Sequence, residues 1–186
     1  SHQNQSLAVF DDVQQCYILE TKQEQQSSQL ISLLVESFQT AKLKPQDIGL
    51  IACSTGPGSF TGIRSTITVA KTLAAELDIP IYTTNNFQLV RFENQLQDND
   101  SVAIFAGKND YFISLNTNYS DLEANYFSLE HNGHKVYEIR ATNIASLIIN
   151  MMNKSMINSQ TSTIDYKELQ PYYLREPSIN VKAASK

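Results

Sequence analysis

The sequence predicts an α/β fold in which parallel strands are joined by crossover helices. Residues 47–55, DIGLIACST, form a nearly continuous apolar stretch that is typical of a strand buried on both faces. A glycine-rich loop follows, and the apolar residues of 61–77 then recur with helical spacing. Residues 78–86, DIPIYTTNN, contain a second apolar strand. This order of strand, helix and strand predicts a βαβ unit with a parallel sheet.

A second helix is predicted before this unit, over residues 25–40. Its apolar positions are Leu30, Ile31, Leu33, Leu34, Val35 and Phe38. A surface helix needs only one apolar stripe, and these positions cover a wider arc. We therefore expect this helix to be buried on two sides, once against a sheet and once against another surface.

Three hairpins and one short helix are predicted in the rest of the chain. The hairpins have turns at Asp11-Asp12, at residues 107–109 and at Asn132-Gly133. The first joins strands over residues 6–10 and 14–19, and the others lie within residues 101–116 and 124–139. Asn-Gly is the strongest of these turn signals. The short apolar helix is predicted within residues 143–157.

Composition limits the classes of function. The 186 residues carry a net charge of −5, so the chain has no overall positive field to hold nucleic acid, and we expect any contact with nucleic acid to depend on a basic surface supplied by another molecule. Cys16 and Cys53 are too few for a disulfide framework and are expected to be reduced. No apolar run approaches the ~20 residues of a membrane span. These features predict a cytoplasmic protein that does not associate with membranes.

The glycine loop, Gly56-Pro57-Gly58-Ser59-Phe60-Thr61-Gly62, ends at a predicted helix N-terminus. Such an end favours anions, which makes this set a candidate anion- or nucleotide-proximal site: Gly56, Gly58, Ser59, Thr61, Gly62 and Arg64. However, the loop lacks the Gly-Lys-Ser/Thr of a Walker loop, and its third glycine comes one residue late for a dinucleotide fingerprint. The loop is therefore either an anion site or only a tight turn.

Three of these candidate residues have other interpretations as well. Thr61 can cap the helix, as can Ser59. Arg64 is a cation in the first helical turn, where the helix dipole disfavours it, so we expect it to have an acidic partner in this chain or another. The sequence nominates no catalytic residue, because no base is placed beside Ser59 or Thr61.

The histidines predict no metal site. His131 and His134 flank a predicted turn without a carboxylate cluster, and His2 stands apart from both. We expect these histidines to be turn or surface residues.

The stretch STGPGSFTGIRSTITVAKTLAAELDIPIY closely resembles the Gly-Pro-Gly-Ser-Phe-Thr-Gly-hydrophobic-Arg signature of the bacterial TsaB (YeaZ) family. LQPYYLRE, near the end of the chain, resembles the Pro-x-Tyr-x-Arg ending of that family. The resemblance implies a two-lobed fold of the actin/hexokinase/Hsp70 (ribonuclease H-like) ATPase type. It also implies that the family's first strand, which ends in Asp-Thr-Ser, is missing here. The expected lobes are residues 1–84, which carry the partner-binding helices, and 85–186, which are smaller than usual for the family.

The same resemblance implies a non-catalytic subunit of the complex that makes threonylcarbamoyladenosine in tRNA. Its implied partners are a TsaD-type transferase, a TsaE-type small ATPase and, in their absence, a second copy of the chain. The implied interface lies on the two helices, at Leu30, Leu33, Leu34, Phe38, Ile67, Ala70, Lys71 and Ala74. No intrinsic cofactor or metal is expected, and ATP or ADP only at an interface of the complex. The alternative is an ATPase or phosphotransferase of the same fold.

Overall fold

The computed structural model describes residues 6–10, 16–20, 30–97, 99–107, 110–115, 125–139 and 163–174, together with four helical positions between 144 and 150. Its strands are β1 (Ser6–Phe10), β2 (Cys16–Glu20), β3 (Ile51–Ser54), β4 (Ile81–Thr84), β5 (Val102–Gly107), β6 (Asp110–Ser114), β7 (Asn125–Ser128), β8 (Val136–Tyr137) and β9 (Thr163–Ile164). Its helices are α1 (Leu30–Ala41), α2 (Phe60–Leu77) and α3 (Asn86–Asn94), with a 3₁₀ turn at Pro45–Asp47.

The predicted βαβ unit is confirmed. β3 and β4 pair in parallel, with Ile51 opposite Ile81 and Ser54 opposite Thr84. α2 connects the two strands and packs against both. The burial of β3 differs from the prediction, because Cys53 is its only fully buried residue. β4 is buried at three of its four positions. The short strand β9 joins the other edge of β4 in antiparallel orientation.

Two of the predicted hairpins are confirmed, and the third is wrong. β1 pairs with β2 and β5 pairs with β6, both antiparallel; their turn residues 11–15 and 108–109 lie outside the described residues. Asn132 and Gly133 do form a turn, with φ angles of 51° and 77°. However, β7 pairs with β6, while β8 pairs in parallel with β5 at the opposite edge. A turn signal fixes a local reversal of the chain, whereas pairing depends on which sheet edge is free.

The helix α3 was not predicted. It begins after Asn85, whose side chain accepts a hydrogen bond from the backbone N–H of Gln88. The backbone N–H of Asn85 in turn donates to the side-chain oxygen of Gln88, which makes a capping box. Its residues Phe87 and Leu89 are fully buried. The predicted helix at 143–157 is described only at four helical positions, and the rest of it lies outside the described residues.

Two apolar clusters form the core. The first joins β3, α2 and β4, and comprises Cys53, Ile63, Ile67, Ala70, Ala74, Ile81 and Leu169. The second joins α3 to the four-stranded sheet, and comprises Phe87, Val90, Val102, Ile104, Ala106 and Phe112. Residues 163–174 reach both, because Leu169 belongs to the first and Tyr172 packs against the second. The division into lobes 1–84 and 85–186 stays a prediction.

α1 is buried on one side only. Leu30, Leu33 and Ser37 are buried, and the helix packs against β1 and β2. Ile31 and Val35 are 54% and 50% exposed. We expected another surface to cover the second side of this helix. Within the described residues, that side is open to solvent.

Candidate functional site

The glycine loop connects the end of β3 to the start of α2, and Gly56 fixes its shape. The φ angle of Gly56 is +113°, a conformation that other residues rarely adopt. A Cβ atom there would lie 2.8 Å from both the Ile63 side chain and the backbone oxygen of Tyr172. Only glycine therefore fits between the helix and the C-terminal segment.

Asn86, the first residue of α3, holds the loop from the other side. Its backbone N–H donates to the Gly56 oxygen at 2.7 Å, and its side-chain amide donates to the Pro57 oxygen at 2.8 Å. The Ser54 hydroxyl donates to the remaining side-chain oxygen of Asn86. Asn86 is only 8% exposed, so these bonds satisfy polar groups that water does not reach.

The start of α2 confirms one of the two predicted helix caps, Ser59, and shows that the other, Thr61, is wrong. Ser59 caps α2, because its hydroxyl accepts a bond from the Gly62 N–H at 3.4 Å. Thr61 lies inside the helix and is exposed. A Cβ atom at Gly62 would lie 3.4 Å from that of Ser59, so its nearest neighbour is the cap.

The C-terminal segment closes over the loop. The Tyr172 N–H donates to the Thr55 oxygen at 2.8 Å, and the Tyr173 ring stacks on Phe60 with centroids 4.9 Å apart. The two segments that carry the family resemblance are therefore in contact. Tyr172 and Tyr173 thus anchor this segment to the loop and to the start of α2.

The predicted anion-proximal residues divide into two groups. Gly56 is buried and Gly58 and Gly62 are half-buried, whereas Ser59, Thr61 and Arg64 are exposed at the start of α2. The Arg64 guanidinium lies over the Phe60 ring, 5.3 Å from its centroid. Its expected acidic partner stays a prediction, as does anion binding.

An open groove of about 450 Å³ lies beside Arg64. It is lined by Leu30 of α1 and by α2 residues between Phe60 and Val69. We call it the α1–α2 groove.

The expected interface residues are mostly internal. Leu30, Leu33, Ile67, Ala70 and Ala74 are at most 7% exposed, so their side chains pack within the chain. Leu34, Phe38 and Lys71 are half-buried. Together with Ile31 and Val35, the half-buried Leu34 and Phe38 form an apolar stripe along α1 at positions i, i+3, i+4 and i+7. We call these four residues the α1 stripe. Ile31 and Val35 are not among the expected interface residues, although the sequence places both in the apolar arc of this helix.

His131 and His134 make structural contacts. The His134 ring nitrogen Nδ1 lies 2.7 Å from the Ser101 hydroxyl, and His131 Nδ1 lies 3.1 Å from the His134 oxygen. Among the residues that the structure describes, no three His, Cys, Asp or Glu side chains are grouped to hold a metal ion.

Burial raises the pKa of the Cys53 thiol to about 12. No helix within the described ranges is both long and apolar enough to span a bilayer.

Asn86 and the contact of Tyr172 with the loop were not predicted. The Asn85-x-x-Gln88 pattern is a capping-box signal and could have located α3. The contact of Tyr172 with Thr55 joins residues far apart in the sequence, and no local pattern indicates it.

Comparisons with known proteins agree with this fold. A family model described as TsaD: tRNA N6-adenosine threonylcarbamoyltransferase matches residues 20–160. A segment of 46 residues, 25% of the chain, is 48% identical to the tRNA threonylcarbamoyladenosine biosynthesis protein TsaB of Bacillus subtilis and covers 20% of that protein. A longer segment of 112 residues, 59% of the chain, is 27% identical to the TsaB of Haemophilus influenzae and covers 48% of it. The matched segments thus span less than half of either relative.

Solved structures show the same fold. YeaZ from Pseudomonas aeruginosa superposes with a TM-score of 0.63 at 14% identity, over 91% of this chain and 93% of that one. A second structure, of an uncharacterized protein with similarity to peptidase YEAZ from the same organism, gives a TM-score of 0.65 at 14% identity and covers 94% of that chain. The chain therefore belongs to the TsaD-type tRNA N6-adenosine threonylcarbamoyltransferase family, within its TsaB (YeaZ) branch.

Proposed function

We propose that this chain is a non-catalytic accessory subunit of a complex that makes threonylcarbamoyladenosine in tRNA, where it pairs with a TsaD-type transferase. The names of its relatives support the pathway, and the family model shows that the chain is itself related to the transferase. The observation that carries the proposal is the α1 stripe, in which Ile31 and Val35 stand about half exposed on a helix. Four apolar side chains at this spacing are the pattern with which one helix docks on another.

The non-catalytic part of the proposal rests on the glycine loop. Two of its backbone N–H groups donate hydrogen bonds within the chain, that of Gly56 to the Ser54 hydroxyl at 3.2 Å and that of Gly62 to the Ser59 hydroxyl at 3.4 Å. Its helix end is capped by Ser59. A loop that catalyses phosphoryl transfer instead presents its backbone groups to the phosphates.

The proposal extends to the other members of the complex. A TsaE-type small ATPase joins the pair, tRNA contacts this acidic chain only indirectly, and ATP or ADP binds only at an interface of the complex. Without the transferase, a second copy of the chain covers the α1 stripe, because exposed apolar patches favour association. We place the protein in the cytoplasm with its tRNA substrate.

Light scattering of this chain, alone and mixed with the matching TsaD-type subunit, tests the proposal. We expect a homodimer that converts to a one-to-one heterodimer. Val35→Glu places a charge within the α1 stripe and should abolish both species, because an unpaired charge would be buried at the interface. Ser32→Glu adds the same charge at an exposed position of the same helix and should leave both intact.

Ala74, one of the expected interface residues, is unsuitable for such a test, since it is 1% exposed and a glutamate there would disrupt the core. If the Val35→Glu chain pairs with the transferase as tightly as wild type, α1 is not the interface. If the wild-type chain ignores the transferase, the proposed function fails.

A further inference from the structure

We draw no further inference here: the strongest candidate, the buried guanidinium of Arg91 in the last turn of α3, has two nitrogen atoms with no hydrogen-bond partner among the described residues, but nothing in the structure shows which group covers them.

Discussion

The rings of Tyr173 and Phe60 stack with their centroids 4.9 Å apart and their planes at 29°. Phe60 is the first residue of α2, and Tyr173 lies near the end of the described chain. This contact ties the C-terminal segment to the glycine loop, next to the bond between the Tyr172 N–H and the Thr55 oxygen. The loop is thus held in shape by residues that follow it by more than a hundred positions.

Tyr173→Ala should loosen this closure. An aromatic pair contributes about 0.5–1.5 kcal/mol beyond the area that it buries, and Tyr173 is 41% exposed, so we expect a loss of about 1 kcal/mol in the free energy of unfolding. Urea unfolding measures it. Tyr173→Phe keeps the ring and should be neutral; an equal loss in both variants would show that stacking is not the cause.

Gly56→Ala should destabilise the chain strongly. The added Cβ would lie 2.8 Å from the Tyr172 backbone oxygen, and the φ angle of +113° would be strained as well. We expect a loss of about 3 kcal/mol or more, seen as a lower denaturant midpoint. Gly62→Ala is the matched control: its Cβ would meet only Ser59 at 3.4 Å, and helix propensity favours alanine by about 1 kcal/mol. Similar losses at both glycines would contradict this account of the loop.

Arg91→Met should stabilise the protein. Arg91 is 5% exposed, and its Nη1 donates a hydrogen bond to the Gln97 oxygen at 3.2 Å. No described residue accepts a bond from its buried Nε and Nη2 atoms, which leaves a charge with little compensation. Methionine should therefore raise the free energy of unfolding by about 1–3 kcal/mol. Arg91→Lys keeps the buried charge and should give no gain; a destabilised methionine variant would indicate that the guanidinium has an acidic partner.

The buried thiol of Cys53 makes the free energy of unfolding decrease with pH in the alkaline range. Burial raises the pKa of its thiol from an ordinary value of 9.0 to about 12 in the folded state. The folded chain therefore holds the thiol proton more tightly than the unfolded chain does. This contribution is complete below pH 9 and is lost as the pH rises from 9 towards 12.

Cys53→Ala should flatten the decline in stability over that range, as urea titrations at several pH values would show. In the Cys16→Ser variant, Cys53 carries the remaining thiol. In the folded state this thiol should resist alkylation at pH 8. Rapid labelling of this thiol in the folded state would contradict its burial.

The sequence predicts the βαβ unit well because its signals are local. The apolar stretch around Cys53, the glycines after it and the helical spacing from Ile63 to Ala74 each occur within a few residues of one another. α3 escaped prediction because it has only nine residues and includes the buried, charged Arg91, which weakens the apolar pattern. The pairing of β8 with β5 was missed because a local turn signal does not specify a sheet edge.

The candidate site was predictable in its parts and not in its arrangement. The loop and the Tyr172-Tyr173 segment were both singled out from the sequence, yet their contact is a property of the tertiary structure. The interface residues show the same limit. Periodicity identifies the apolar arc of α1, but only packing decides that Leu33 faces the sheet while Val35 faces solvent.

The central claim is that this chain supports a transferase without performing chemistry itself. The most direct test measures threonylcarbamoyladenosine formed in tRNA by TsaD-type and TsaE-type subunits, with wild-type chain, with the Val35→Glu variant or with neither. We predict that product requires the wild-type chain, that Val35→Glu fails to support it, and that the chain alone turns over no ATP. Equal product without the chain, or ATP turnover by the pure chain that Arg64→Ala abolishes, would contradict the account.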